Sequence, residues 1–482
     1  MRRPAQLPLI SAPGAGARTQ TVMQAILSRL QSRALTPGER LPSIRSLATA
    51  MAVSPSTVVE AYDRLAAQGL IVSRPGSGFY VTGSPAPLAL AEIAPRRERT
   101  MDPLWVSRQT LDPAPGMLRP GCGWLPPDWM PNQAIRRALR AVAKADDEIL
   151  TDYGTTRGSL PLRRLLARMA AQEGVELAPE QILLTSSGTQ AVDLICRFLL
   201  QPGDAVLVDD PCYFNFQALL KAHRARIVSV PFTRSGPDIA LFAQALAEHR
   251  PRLYLTNSAL HNPTGATMAP QTAHRLLTEA AAHDLTIVED EIFAEFEPEP
   301  SVRLAALDGL ARVVRIGSFS KTLSASIRCG YIAARQDWIE ALIDLQVATQ
   351  FGGASPVATG IVAGVLGDGG YRRHLAQLRG RLARQRKAVA AGLDRLGITP
   401  WVEPRGGFYL WCRLPDGLEA AAVARHALAE NVVLAPGNVF SASQRAAGLM
   451  RFNVAQMQPA GFAVLERALQ AAERERNRTG AA

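Results

Sequence analysis

Lysine is scarce in this chain of 482 residues: only four lysines stand among its 53 basic residues, so a plain positive charge is almost always supplied by arginine. A guanidinium stays protonated and cannot attack a carbonyl, so chemistry that needs a free amine falls on very few positions. Long apolar runs are missing too. No stretch approaches the ~18 residues needed to span a bilayer. The N-terminal segment starts with Arg2-Arg3 but is broken by proline and glycine where a secretion signal needs continuous apolar residues. Cysteine is sparse and scattered: Cys122, Cys196, Cys212, Cys329 and Cys412 are odd in number and form no Cys-x-x-Cys pair. That usage supports neither a disulfide framework nor a zinc site, and it predicts reduced, mostly buried thiols in a cytoplasmic protein. What is plentiful is apolar material. A hydrophobic fraction of 47% over this length predicts a large core and more than one domain.

Lys321 sits in Ser318-Phe319-Ser320-Lys321, with Arg328 seven positions on. Alone, that tetrapeptide reads as a surface lysine in a serine-rich loop. The upstream sequence changes the reading. Ser187-Gly188-Thr189 follows the apolar run Ile182-Leu183-Leu184 and precedes a helix-like stretch from Ala191 to Leu200. A strand turning through Ser-Gly-Thr into a helix aims free N–H groups and the helix dipole at an anion, although the same tripeptide also serves as an ordinary cap. Tyr213 follows the strand-like Ala205–Val208 and the turn Asp209-Asp210-Pro211, where an aromatic either stacks on a flat ring or packs on the sheet. Asn262, in His261-Asn262-Pro263-Thr264-Gly265, is presented by a turn and can donate to a phenolate oxygen. Asp290 ends the run Leu285–Glu289. A buried carboxylate there can keep a pyridine nitrogen protonated, but Glu289, Asp290 and Glu291 alternate faces and only one face can be selected. Asn262 and Asp290 are 28 residues apart, and Asp290 and Lys321 are 31 apart. Each interval suits a strand with a crossover helix, so all three can emerge at one carboxyl edge of a parallel sheet.

The first 83 residues carry a different pattern. Nine arginines, Arg2, Arg3, Arg18, Arg29, Arg33, Arg40, Arg45, Arg64 and Arg74, face Glu39, Glu60 and Asp63, a balance of +6 within the chain's +11. Such a concentration suggests a polyanion partner. Ser43 can cap a helix running to about Met51, with Ile44, Leu47 and Ala48 on one face. After a turn at Ala52-Val53, Ser54-Pro55 reads as cap and first residue of a second helix that buries Val58, Tyr62 and Leu65 and leaves Ser56 and Thr57 outward. Leu70–Ser73, the turn Arg74-Pro75-Gly76-Ser77-Gly78, and Phe79-Tyr80-Val81 complete a two-stranded wing. The whole predicts a winged helix-turn-helix whose second helix enters the major groove while Arg45 and Arg74 meet phosphates, with Ser54, Ser56, Thr57 and Gly76 at the same surface. A protein-interaction module with a solvated basic face is the competing reading.

Residues from about 116 to 470 resemble a fold-type I aminotransferase. The resemblance implies that Lys321 carries pyridoxal 5'-phosphate and that Ser187, Gly188, Thr189, Ser318 and Arg328 bind its phosphate. It gives Asn262, Asp290 and Tyr213 the ring-oxygen, ring-nitrogen and stacking roles, and it settles the choice of Asp290. It further implies that Tyr153 reaches the phosphate of a neighbouring subunit in a homodimer, and that Arg451 clamps a carboxylate. Three positions after the aspartate the family often has a tyrosine; here it is Phe293. The segment Leu41–Ala48 with Val53–Val58 and Gly69–Ile71 resembles the GntR-type DNA-binding domain, with Pro55 where an arginine is common. Joined in this order, the two resemble the MocR subfamily of GntR-type regulators. The expected organisation is a winged helix-turn-helix over 1–83, a proline-broken linker over 84–115, and an α/β aminotransferase-like domain over 116–482 ending in a polar tail after Glu473. The expected function is transcription regulation on double-stranded DNA in response to pyridoxal phosphate or a small amine or amino acid. The alternative is a working aminotransferase with an auxiliary DNA-binding module.

Overall fold

The computed structural model describes residues 15–31, 35, 38–82, 111–112, 114–415 and 417–479. The chain divides into two compact units, Met1–Glu98 and Arg99–Ala482. The linker predicted over 84–115 falls almost wholly outside the described residues, as do Arg2, Arg3 and Arg33.

The first unit is built from α1 (Ala15–Gln31), α2 (Ile44–Ala50), α3 (Pro55–Ala67), β1 (Ile71–Arg74) and β2 (Gly78–Val81). Both predicted caps form: the hydroxyls of Ser43 and Ser54 accept from the N–H groups of Ser46 and Thr57, each at 3.2 Å. Between α2 and α3, Ala52 takes the left-handed conformation that makes the turn tight. Val58, Tyr62 and Leu65 are buried with Leu47 and Ile71, and the Tyr62 hydroxyl donates to the carbonyl of Pro42 at 2.8 Å. The sequence reading missed α1, which contributes Val22 and Ile26 to the same core. It also set the wing strands a residue off: Arg74 belongs to β1, paired with Gly78 of β2.

In the second unit an eight-stranded sheet has the order β3 (Ile182–Thr185), β10 (Gly330–Ala333), β9 (Val313–Ser318), β8 (Thr286–Asp290), β7 (Leu253–Thr256), β4 (Ala205–Asp210), β5 (Arg226–Thr233), β6 (Gly236–Pro237). The central strands β9, β8, β7, β4 and β5 run parallel. Of these β9, β8, β7 and β4 are short runs buried on both faces, as a helix-covered parallel sheet requires, whereas β5 is only partly buried. The sheet is mixed rather than wholly parallel, because β10 runs antiparallel between β3 and β9. No crossover helix separates β9 from β10, so the chain must return in the opposite direction. The helices α4 (Gly188–Leu199), α5 (Phe214–Ala222) and α6 (Pro270–Ala282) follow β3, β4 and β7.

A second, antiparallel sheet has the order β11 (Thr399–Pro400), β12 (Tyr409–Arg413), β14 (Leu449–Asn453), β13 (Ala435–Pro436). It packs with α7 (Gly370–Asp394), α8 (Ala420–Ala429) and α9 (Pro459–Thr479) around Phe408, Leu410, Val423, Phe452 and Leu465. The stretch after Glu473 is no tail; it continues α9 to Thr479, beyond the buried Ala468, Leu469 and Ala472 that anchor the helix. All five cysteines are buried and free.

Candidate functional site

Five strand ends of the large sheet open on one cavity of about 250 Å³. Its wall holds Ser187, Gly188, Thr189, Tyr213, Asn262, Asp290, Ser318, Lys321, Arg328 and Arg451 together. Of the residues expected at this site from the sequence, Tyr153 alone is elsewhere. It is 68% exposed and meets the equally exposed Phe351 edge-on at 5.0 Å.

The turn from β3 into α4 leaves backbone donors open toward the cavity. The Ser187 hydroxyl accepts from the N–H of Gln190 at 3.1 Å, and no hydrogen bond among the described residues engages the N–H groups of Gly188 and Thr189. Gly330 of β10 backs this turn so closely that a Cβ there would stand 2.8 Å from the Ser187 carbonyl carbon. Ser318 ends β9 and bonds Ser320 at 2.9 Å; Arg328, in the left-handed conformation, reaches the cavity from an exposed position.

Lys321 donates from Nζ to the carbonyl of Gly123 at 2.6 Å. Desolvation pushes its pKa down to about 8; Cys122 and Asp290 oppose that shift and Arg451 reinforces it. A base with that pKa has an appreciable free-amine population near neutrality. Asp290 is raised to about 6, again by desolvation, against the N–H of Ile292 at 3.0 Å and the charge of Lys321. A carboxylate so placed favours a protonated partner in the cavity.

Glu289 and Asp290 point to opposite faces of β8 and Glu291 follows its end, so the three adjacent acids have three tasks. Glu289 turns away from the cavity and accepts from the N–H groups of Leu304 and Ala305, both at 2.8 Å, holding the short helix Leu304–Asp308. Glu291 faces Arg315 at 2.6 Å and Arg303 at 3.7 Å. Only Asp290 lines the cavity.

Arg451, on β14, is buried. Its Nη1 donates to Asn262 Oδ1 and its Nη2 to the Gly121 carbonyl, both at 2.8 Å. Asn262 thus spends its carbonyl on Arg451, and no hydrogen bond among the described residues uses its Nδ2 donor. Sequence alone gave no place to Gly123-Trp124-Leu125 or Gly406-Gly407-Phe408-Tyr409; Gly123, Trp124 and Tyr409 prove to be cavity wall, with Phe214, Asn215 and Ser320 also missed. The clustered glycines of both segments were the available signal. Phe293 is buried against Phe408 and Tyr409, at 5.6 and 5.3 Å between centroids, so no hydroxyl stands at that position.

In the first unit the Ser54 hydroxyl lies 2.8 Å from the hydroxyls of both Ser56 and Thr57, which gathers three polar groups at the N-terminus of α3. Arg45 is exposed on α2. Arg74 is exposed on the wing, with its guanidinium 4.5 Å above the Tyr80 ring, and Gly76 turns the wing tip with φ of 72°.

The family model for aminotransferase class I and II matches residues 127–469. The chain belongs to that family. Ahead of this aminotransferase-family domain, the model for bacterial regulatory proteins of the gntR family matches residues 18–81, and the two together are the MocR architecture of transcription regulators. The chain is 29% identical over 446 residues to the uncharacterized HTH-type transcriptional regulator YdcR of Escherichia coli, covering 90% of this chain and 94% of that one. It is 30% identical to aromatic-amino-acid aminotransferase 1 of Thermococcus litoralis over 69% of this chain and 82% of that enzyme. Among solved structures, LysN, the α-aminoadipate aminotransferase of Thermus thermophilus complexed with N-(5'-phosphopyridoxyl)-L-leucine, matches with a TM-score of 0.69 and 28% identity, over 77% of this chain and 95% of that one. The cofactor of this MocR-type chain is pyridoxal phosphate, and the donor set fits it. The cavity offers an open helix N-terminus for a phosphate, a desolvated amine for an aldehyde, and a desolvated carboxyl for a ring nitrogen.

Proposed function

We propose that the protein is a cytoplasmic, homodimeric transcription regulator that binds operator DNA through its N-terminal head and senses pyridoxal phosphate or an amino compound in its large domain. One observation carries the reading: a single cavity unites an anion cradle, a desolvated lysine, a desolvated aspartate and a buried arginine in a chain that also has a winged helix-turn-helix. Pyridoxal phosphate, when bound, supplies an aldehyde carbon that joins covalently to a primary amine. In this reading Lys321 is that amine. Ser187, Gly188, Thr189, Ser318 and Arg328 hold the phosphate, Tyr213 flanks the ring, Asn262 donates from Nδ2 to the ring oxygen, and Asp290 keeps the ring nitrogen protonated. Arg451 holds the carboxylate of an amino-acid effector. Tyr153 serves the site of the second subunit, which its exposure beside Phe351 supports. On the DNA side, Arg45 and Arg74 neutralise phosphates while Ser54, Ser56, Thr57 and Gly76 line the contact surface.

Effector binding and DNA binding then share a coupling free energy of about 1–3 kcal/mol, a change in DNA affinity of about 5- to 150-fold. Gel shifts of full-length protein on the adjacent intergenic DNA, with and without pyridoxal phosphate and candidate amines, test this directly. Arg45→Ala and Arg74→Ala should each weaken binding on all sequences and reduce the salt dependence by about one ion. An affinity indifferent to cofactor and amines in the wild type and unchanged in both variants would refute the reading. The unbroken Asn262-Pro263-Thr264-Gly265 turn favours a second reading, a working aminotransferase with an auxiliary head. Sustained product formation from an amino donor and a keto acid at about 1 s⁻¹ or faster would establish the enzyme, whereas one spectral change without product supports the sensor.

A further inference from the structure

Two fully buried polar side chains, Asp209 and His261, lie outside the cavity wall and have no part in the proposed function. Asp209 is the last residue but one of β4. Its carboxylate accepts from the hydroxyl of Tyr254 and, at 2.8 Å, from that of Thr256, both on β7. Among the described residues the one basic group within ion-pair distance is His261, whose Nε2 stands 3.3 Å from Asp209 Oδ2. A carboxylate at this depth is costly unless donors surround it, and these three groups do.

The imidazole is held on its other sides as well. Its ring stacks on Phe232 of β5, with centroids 3.8 Å apart and planes 12° from parallel. Nδ1 lies 2.9 Å from the Thr264 hydroxyl oxygen, which itself accepts from the N–H of Ala266 at 3.2 Å. That leaves the hydroxyl hydrogen for Nδ1 and the ring's own hydrogen on Nε2, which makes no hydrogen bond elsewhere and faces the carboxylate. Backbone bonds close the turn around the ring: the His261 N–H donates to the Ala266 carbonyl at 2.8 Å, and the Gly265 N–H to the His261 carbonyl at 2.6 Å.

The next residue is Asn262, which depends on such support. Its Oδ1 accepts from Arg451, and its Nδ2, the donor to the cofactor's ring oxygen in the proposed function, makes no hydrogen bond among the described residues. A hydrogen bond weakens steeply as donor and acceptor lose alignment, so an amide carried on a turn stays aimed only if the turn is fixed. Asp209 extends the constraint to a second group. It precedes the cavity-lining Tyr213 by four residues, so one carboxylate ties the segment that carries Tyr213 to the turn that carries Asn262.

We propose that His261 and Asp209 are positioning residues for the cofactor: their contact holds the Asn262 amide at the ring oxygen and sets the gap between that amide and the Tyr213 ring. The proposal rests on the proposed function, since it takes Asn262 Nδ2 as the donor to the ring oxygen.

The test uses the full-length protein loaded with pyridoxal phosphate and reads two quantities, the pH midpoint of the cofactor's absorbance change and the cofactor's dissociation constant. A donor at the ring oxygen favours its ionised form. His261→Phe keeps a ring to stack on Phe232 but loses both nitrogens, so the midpoint should rise by about half to one unit and binding should weaken about three- to tenfold. His261→Gln, which keeps a donor toward Asp209, should recover most of both. In an Asn262→Ala background His261→Phe should move neither quantity further, a pattern that general destabilisation does not produce. Thr264→Val, which removes the partner of Nδ1, should show the same dependence on Asn262 and serves if His261→Phe fails to fold. Wild-type values in His261→Phe, or effects just as large in the Asn262→Ala background, overturn the proposal. A loaded spectrum that persists in Lys321→Ala overturns the cofactor reading itself, and the two failures are thereby distinct.

Discussion

The desolvated amine of Lys321 makes a quantitative prediction about how the cofactor-free protein takes up pyridoxal phosphate. With a pKa of about 8, some one-tenth of the Lys321 side chains are free amine at pH 7, whereas an ordinary lysine near 10.5 has about one in three thousand. Only the free amine is nucleophilic, so at saturating cofactor the rate of covalent loading should follow this fraction. Between pH 7 and pH 9.5 it should rise about tenfold and then level off. An unperturbed lysine would instead climb about 300-fold over the same range with no plateau. Stopped-flow absorbance resolves the two curves. Desolvation by the cavity walls is the main cause of the depressed value, and Arg451 adds to it by repulsion. Arg451→Gln, which keeps a hydrogen-bonding side chain on β14, should therefore move the inflection to higher pH. A rate that rises log-linearly through pH 10 in the wild type would refute the argument, because Lys321 would then be titrating as though in water.

Two further outcomes follow from the geometry. Asp290 is raised to about 6 in the cofactor-free protein, so its neutral form is favoured by folding. Its stabilising contribution is full below the ordinary value near 3.8 and is lost as pH rises through about 6, a difference of about 2 kcal/mol between pH 4 and pH 7. All six tryptophans lie in the second unit, so tryptophan fluorescence follows its unfolding alone; wild type minus Asp290→Asn should show this loss, and parallel pH profiles would contradict it. In the head, Ser54→Ala removes the cap of α3 and should cost about 1 kcal/mol, read as faster hydrogen exchange across Pro55–Ala67; unchanged exchange would mean that the cap is not stabilising the helix.

The sequence by itself determined many of the features that depend on local order. The caps at Ser43 and Ser54, the burial of Val58, Tyr62 and Leu65, and the strand-turn-helix at Ser187-Gly188-Thr189 all follow from residue types at fixed short offsets, and the structure has them. The intervals from Asn262 to Asp290 to Lys321 were legible for the same reason: a strand and its crossover have a narrow range of lengths. Helix α1 went unread because its apolar positions, Val22 and Ile26, announce no function and acquire meaning only against α3. The antiparallel insertion of β10 was equally hidden. A four-residue strand does not specify its neighbours, and only the assembled sheet places β10 between β3 and β9.

Only the tertiary structure decided what lies around the lysine. Glu289, Asp290 and Glu291 are chemically near-equivalent in sequence, and they separate only in the fold, where the end of β8 turns Asp290 toward the cavity and Glu289 toward a helix start while Glu291, just past the strand, meets two arginines. Gly123, Tyr409 and Arg451 come from segments about 200, 90 and 130 residues away from Lys321, and their meeting leaves a cation without a counter-ion. Local spacing encodes which groups exist. Desolvation, which sets their pKa values and the charge the cavity will accept, is a property of everything packed around them, and no short stretch of chain contains it.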